Sequence, residues 1–338
     1  MPNFRPYLSA LADRRRQLLM GGALLAVVAA ALIVYATRPA PLYVVVQNGR
    51  AGYIDSKGTA RIAPQFEDAR RFAEGLAGVR VGGQWGFINR GGQMVVAPQF
   101  DDAFDFRGGL APVRVADRWG YLNKNGRFEI NPQFETAGYF WEDRAVVSRN
   151  GRFGYIDRDG RVVVPIQFDA AGDFSGGRAP VATGDRWGYI DREGRYVINP
   201  QYEEAGSFSD GLAPVKVAGR WGYIDHSGKP EIAAQFDEAY PFSEKRAVVL
   251  MGDKWGYLDP GGKMVIGPQF DGAGDFAGGL APVTVGDREG YIDRDGKLVI
   301  GPQFDVARHF QDGLAAVTME NGIGYINRKG QFIWRPTA

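Results

Sequence analysis

The sequence predicts an all-β fold: a tandem array of nine 34-residue units, each a three-stranded antiparallel meander, behind one N-terminal transmembrane helix. Three observations carry that prediction. A glycine–aromatic step recurs at Gly52-Tyr53, Gly86-Phe87, Gly120-Tyr121, Gly154-Tyr155, Gly188-Tyr189, Gly222-Tyr223, Gly256-Tyr257, Gly290-Tyr291 and Gly324-Tyr325, always 34 residues apart and without an insertion. A fixed period of that kind marks a repeat architecture. Short alternating apolar runs between Gly, Asn and Asp turns read as strands. Third, residues 18–36 carry no charge.

That run is nineteen residues long, and at about 1.5 Å per residue a helix of this length reaches roughly 28 Å, one hydrocarbon core. Residues 1–17, a basic segment with Arg14, Arg15 and Arg16, precede it, and only Arg38 follows closely. The asymmetry places residues 1–17 in the cytoplasm and the repeats in the periplasm or outside the cell, on a single-pass inner-membrane anchor. A cleaved signal peptide is the alternative, but its apolar region is usually shorter. Arg15-Arg16 resembles a twin-arginine export signal only loosely. Residues 37–41, Thr-Arg-Pro-Ala-Pro, are a stiff spacer that holds the repeat domain, 42–338, near the membrane.

Within one unit, Leu110-Ala-Pro-Val-Arg-Val115 reads as a first strand and Trp119-Gly-Tyr-Leu-Asn123 as a second. Asn123-Lys-Asn-Gly126 is a tight turn in which the Asn side chain bonds its own backbone and Gly takes the left-handed conformation. Phe128-Glu-Ile130 starts a third strand, which Pro132 is expected to end because proline cannot donate to a ladder. Glycine at every Gly–aromatic step implies a close approach to the backbone, expected from an aromatic ring of the adjacent unit. The residue before that glycine is Trp85, Trp119, Trp187, Trp221 or Trp255, with Ala51, Phe153, Glu289 and Ile323 at the other positions. Gln201 belongs to a row of eight glutamines in the connectors, read as amides satisfying backbone groups in a partly buried joint. Each is followed by an aromatic residue and, six residues later, by Phe: Phe72, Phe106, Phe140, Phe174, Phe208, Phe242, Phe276 and Phe310.

A unit of 34 residues buries too little apolar surface to stand alone, so neighbours must share a core. The first unit opens on its first strand at Leu42 and the last ends on its third at Trp334, so no strand is split between the termini. Propeller blades, moreover, usually have four strands. An open superhelical array is therefore favoured, with a closed propeller-like ring as the alternative.

Arg-Trp-Gly-Tyr-Ile-Asp-Arg-Glu-Gly at 186–194, Pro-Gln-Tyr at 200–202 and Phe-Ser-Asp-Gly-Leu-Ala-Pro-Val at 208–215 resemble the bacterial WG (KWG) repeat, and the resemblance spans 42–338. It implies β repeats, often exported or envelope-linked, and supplies neither a ligand nor catalytic residues. The chain departs from the pattern at the four non-tryptophan sites and at Arg144, Arg178 and Arg246, where Leu usually stands.

The chemistry-bearing residues are sparse. With no cysteine there is no disulfide and no thiolate site, and the two histidines, His226 and His309, occupy different slots of the repeat. Asp157-Arg-Asp159-Gly160 and Asp293-Arg-Asp295-Gly296 read as turns, because the downstream acidic ligand of a calcium loop is missing. Net charge is +1, of which residues 1–41 hold +4, leaving −3 for the repeats, a poor match to nucleic acid. No cofactor or metal is expected, and no enzymatic activity. The sequence reads as a binding or scaffolding surface for a protein partner in the bacterial envelope, with a wall- or glycan-binding module as the second reading. Departures from a repeat are where function is written. Trp141, Arg144, Arg178 and Arg246 are therefore the candidate ligand-binding residues, while Trp85, Trp119, Trp187, Trp221, Trp255, Gly188, Tyr189 and Gln201 are read as structural.

Overall fold

The computed structural model describes residues 39–320 and 322–335. The expected membrane helix, 18–36, lies outside the described residues. Among those described, no helix is long and apolar enough to cross a membrane.

The repeats form nine antiparallel sheets, here blades 1 to 9. Blade 5 is typical: strands Ala170–Ala171, Ala179–Thr183, Arg186–Ile190 and Tyr196–Tyr202 pair in chain order. Blades 2 to 9 have four strands where three were expected. The extra one comes from the connector, as when Glu204–Ala205 pairs with Ala213–Val217 in blade 6. A connector running between packed sheets must satisfy its backbone groups, and the neighbouring strand edge does so. Blade 1, Leu42–Gln47, Arg50–Asp55 and Ala60–Phe66, keeps three.

The array is closed, which overturns the open superhelix. Core clusters straddle each successive pair of blades, as with Tyr189, Ile198 and Tyr202 of blade 5 against Phe208, Ala213 and Val215 of blade 6. A further cluster joins the ends, Tyr43, Val45 and Ile54 of blade 1 against Leu314, Tyr325, Ile333 and Trp334 of blade 9. The repeat domain is thus a nine-bladed β-propeller. Closure uses a local substitution. At eight joints the second aromatic of the connector packs on the aromatic of the preceding blade, for instance Phe208 on Tyr189 at 5.0 Å and Phe242 on Tyr223 at 5.1 Å. At the closing seam the ring of Tyr43 takes that role, 5.5 Å from Tyr325, and its hydroxyl donates to the Asp312 carbonyl at 2.7 Å. Every other blade has Ala at the position of Tyr43.

The Gly–aromatic step is explained within a single blade. In blade 5, Trp187 pairs with Tyr202 and Tyr189 with Ile198, so the last strand carries two extra residues opposite Gly188. That bulge bows inward. A Cβ on Gly188 would lie 2.5 Å from the Ile198 oxygen and 2.7 Å from the Pro200 nitrogen. The close neighbour is therefore the blade's own backbone and not an aromatic ring of the next unit. The bulge also explains why Pro132 and Pro200 interrupt no ladder: the strands run through them, Phe128–Phe134 and Tyr196–Tyr202. The aromatic after the glycine is sealed between blades. Tyr189 is fully buried, and its hydroxyl donates to the Gly206 carbonyl of blade 6 at 2.8 Å. Burial pushes its phenol far above the usual range, so it stays a donor.

The turn chemistry follows the sequence. Oδ1 of Asn123 accepts the amides of Asn125 and Arg127 at 3.1 Å each, and Gly126 has φ +76°.

Candidate binding surface

Acidic residues tie one blade to the next. Glu74, Glu142 and Glu244 occupy one repeat position, each with φ near +50°, where several sister units place glycine. Glu244 accepts the amides of Gly278 and Gly279 at 2.8 and 2.9 Å and Arg294 Nη2 at 2.8 Å. Glu74 holds Gly108, Gly109 and Lys124 in the same way, and Glu142 holds Gly177 and Arg192. Burial raises the carboxyl of Glu244, but the Arg294 hydrogen bond and the two amides outweigh it and hold its pKa below 4.5. The same balance, with Lys124 or Arg192 as partner, lowers Glu74 and Glu142.

A carboxyl whose folded pKa is depressed stabilises fully above its unfolded value and loses that contribution as pH falls through the folded value. The melting temperature should therefore drop as pH falls below about 4.5. Asp173 and Asp275, raised by burial, oppose the trend. Glu244→Gln isolates one clamp. It should melt below the parent at pH 7 and level with it near pH 3, and a deficit unchanged across that range would remove Glu244 from the account.

The candidate residues separate. Arg144, Arg178 and Arg246 each stand at the start of the strand after the blade's tight turn, where Leu76, Leu110, Leu212, Leu280 and Leu314 are buried in sister blades. Each Nη1 donates to the preceding carbonyl, at 3.1 Å for Arg144 and Arg178 and 2.9 Å for Arg246, and each Nε is buried without a partner among the described residues. Arg144 and Arg178 lie in adjacent blades, Arg246 two blades further on. The stems stand in the leucine slot and leave it half-buried, with the guanidinium folded back on its own backbone. Restoring leucine at any one should stabilise the fold by about 1 kcal/mol, since a buried unpaired donor costs roughly that. Urea denaturation of the three single variants checks this, and a loss of stability would mean the guanidinium is better satisfied than its geometry shows.

Trp141 ends its strand, 38% exposed, but its ring is covered by Arg107, whose Cζ lies 3.5 Å from the centroid. Its indole also counters part of the rise that burial gives the Asp173 carboxyl. It is engaged within the ring and is not a free stacking platform beside Arg144. Trp85 is buried, whereas Trp119, Trp187, Trp221 and Trp255 are half-buried at the joints, with Phe104 stacked on Trp119 at 4.8 Å. Gln201 is exposed on its own strand and not in a joint. Its sisters Gln99, Gln133 and Gln269 turn their amides onto the carbonyl two residues back, at 3.3 to 3.4 Å, inside the bulge. His226 stacks on Phe208 at 4.2 Å. Among the described residues no group of three or more His, Cys, Asp or Glu could hold a metal ion.

Sequence reasoning missed a cavity of about 500 Å³ between blades 5, 6 and 7, lined by Trp187, Trp221, Tyr240, Glu204, Glu238 and Lys216 among others. Lys216 Nζ lies 5.9 Å from the Trp221 centroid and is held by Glu204 at 2.7 Å. Tyr240 is 47% exposed, and its hydroxyl donates to Glu238 Oε2 at 3.4 Å. Burial, with the Glu238 charge beside it, pushes that phenol up. Two tryptophans and a tyrosine facing carboxylates form a receptor for a flat or cationic group.

The model of the WG containing repeat matches residues 52–85, 85–119, 119–153, 153–187, 187–221, 221–255, 255–288 and 290–322. No curated protein matches the chain. Among solved structures, a crystal structure described as that of the eukaryotic initiation factor is similar at TM-score 0.63 and 10% identity, covering 87% of this chain and 95% of that one. At that identity the likeness speaks for the fold alone, and it agrees with the ring. Dihydro-heme d1 dehydrogenase NirN in complex with DHE reaches TM-score 0.45 and 15% identity over 78% of this chain and 73% of its own. Kluyveromyces lactis Hsv2p reaches 0.42 and 7% over 67% and 92%. Likeness at those scores is too distant to bear on function.

Proposed function

The chain belongs to the family of WG containing repeat proteins, and from that premise we propose that it is a non-catalytic binding or scaffolding protein of the bacterial envelope, held at the membrane by residues 18–36. One observation carries the reading. The repeated polar positions are spent within the ring's own backbone, as the Asn123 turn and the Tyr189 hydroxyl illustrate. Among the residues that break the repeat, Tyr240 is exposed and lines a cavity, and Arg144, Arg178 and Arg246 are half-buried where the sister leucines are sealed. A rigid frame with individual exceptions on its surface suits recognition.

Crosslinking with mass spectrometry on intact cells tests this. A short, reproducible set of envelope proteins crosslinked to the repeat domain is expected, and the full chain should fractionate with the inner membrane. An unchanged partner set in the double variant Arg144→Ala, Arg178→Ala would remove those arginines from the interface. Retention on isolated sacculi, with no protein partner, would replace this reading with a glycan-binding one.

A further inference from the structure

One joint of the propeller shows what another is built to receive. At the joint of blades 2 and 3, Arg70 lies between two aromatic rings, its Cζ 4.7 Å from the Trp85 centroid and 5.4 Å from that of Phe104. Its Nη2 donates to Asp102 Oδ1 at 2.9 Å. Gly78 lies beside the stem, where a Cβ would be in ordinary contact with Arg70 Cδ at 3.6 Å. The result is an intramolecular guanidinium site: one ring from each blade and a carboxylate from the second.

Four periods, or 136 residues, further on, the joint of blades 6 and 7 repeats the receptor. Trp221 stands for Trp85, Tyr240 for Phe104 and Glu238 for Asp102. Among the described joints, these two alone combine a tryptophan, an acid and a second aromatic at those positions. The guanidinium is not repeated: Gly206 replaces Arg70, Pro214 replaces Gly78, and the cavity opens where the arginine would lie. Pro214 Cγ closes the path of the missing stem, only 2.7 Å from where a Cβ on Gly206 would fall. The charges agree. Among the described residues, Glu238 has no ion-pair partner, and Leu250 stands across the strand from it. Asp237 is paired with Arg220, and Glu204 with Lys216.

We propose that the cavity between blades 6 and 7 binds the guanidinium of an arginine side chain presented by a partner protein, sandwiched between Trp221 and Tyr240 and paired with Glu238. This deepens the scaffolding reading by naming what the surface grips. Arginine fits better than lysine because its planar cation stacks on both rings while donating in-plane to the carboxylate. The Lys216 ammonium is paired with Glu204 and feels the Glu238 charge only at longer range; Glu238 accepts one long bond from the Tyr240 hydroxyl and keeps its other oxygen for the ligand.

The test uses the full-length chain and three capped tripeptides, Gly-X-Gly with X arginine, lysine or citrulline, followed by calorimetry and tryptophan fluorescence. Citrulline keeps the shape and removes the charge. The arginine peptide should bind saturably, the lysine peptide about fivefold more weakly for want of stacking, and citrulline not measurably. Glu238→Gln, an exposed change, should weaken the arginine peptide about tenfold, as expected for a charge-assisted hydrogen bond. The double variant Gly206→Arg, Pro214→Gly rebuilds the blade 2 arrangement. It should fill the cavity with the chain's own arginine, abolish peptide binding and leave the melting temperature equal or higher.

Equal binding of citrulline and arginine, no effect of Glu238→Gln, or binding of a chito-oligosaccharide in place of the arginine peptide would overturn the proposal. The scaffolding reading fails separately. Peptide binding without any crosslinked partner in cells would sink that reading alone, and partners indifferent to Glu238→Gln would sink the arginine site alone.

Discussion

Gly188→Ala is expected to destabilise the ring by about 3 kcal/mol or more, at the upper end of overpacking costs. Its new methyl would stand 2.5 Å from the Ile198 oxygen and 2.8 Å from the Asn199 carbonyl carbon. Both are main-chain atoms of the bulge, so no side-chain rotation can make room. The strand Tyr196–Tyr202 would have to retreat, breaking the pairs of Trp187 with Tyr202 and of Tyr189 with Ile198. Because Tyr189, Ile198 and Tyr202 share a core with blade 6, the damage would not stay in one blade. Gly301→Ala is the control. It lies in the equivalent bulge of blade 8, a Cβ there meets nothing within 4 Å, and its φ is not positive. It should be neutral or stabilise by roughly 0.4–1 kcal/mol through the unfolded chain. Urea denaturation of both variants decides the matter, and Gly188→Ala within about 0.5 kcal/mol of the parent would refute the close-backbone account.

Tyr43→Ala should cost about 3–5 kcal/mol, the range for removing a buried aromatic side chain. Alanine itself is no obstacle, because the eight other blades carry it at this position. What disappears is the ring against Tyr325 and the hydroxyl bond to the Asp312 carbonyl, both across the closing seam. Among the described residues no connector reinforces that seam as at the eight other joints, and Tyr325 reaches directly to the Val44 carbonyl at 2.8 Å. Amide exchange should therefore accelerate first at Val44, Val45 and Tyr325, ahead of the central joints. The converse change, Ala213→Tyr, should be poorly tolerated, since Ala213 is fully buried and Phe208 already packs on Tyr189. Uniform exchange around the ring in Tyr43→Ala would mean that the seam is no weaker than its siblings.

Much of this molecule could be read residue by residue. The unit boundaries, the Asn123 turn and the Arg-for-Leu exchanges all depend on neighbours a few positions away or on comparing one unit with the next. The bulge was not readable, although Pro132 marked its place. A proline inside a strand looks like a stop until the partner strand shows the chain passing around it. The arginine receptor left a trace in four columns of the repeat, those of Gly206, Trp221, Glu238 and Tyr240. No single column is unusual, and only their meeting at one joint, opposite the filled site of Arg70, gives them a meaning.

The sequence by itself determined the period, the strands, the turns and the need of each unit for its neighbours, because these follow from local conformational preference and from how little a 34-residue unit can bury. Only the tertiary structure decided that the array closes. Closure depends on the rotation from one blade to the next, accumulated over all nine, until Tyr43 meets a carbonyl 269 residues away. A small angular change per joint would leave every local signal intact and the ring open. Tyr43, standing alone in a column of alanines, was the one sign of it in the chain, and its significance appeared only when its ring was seen in the place held elsewhere by phenylalanine.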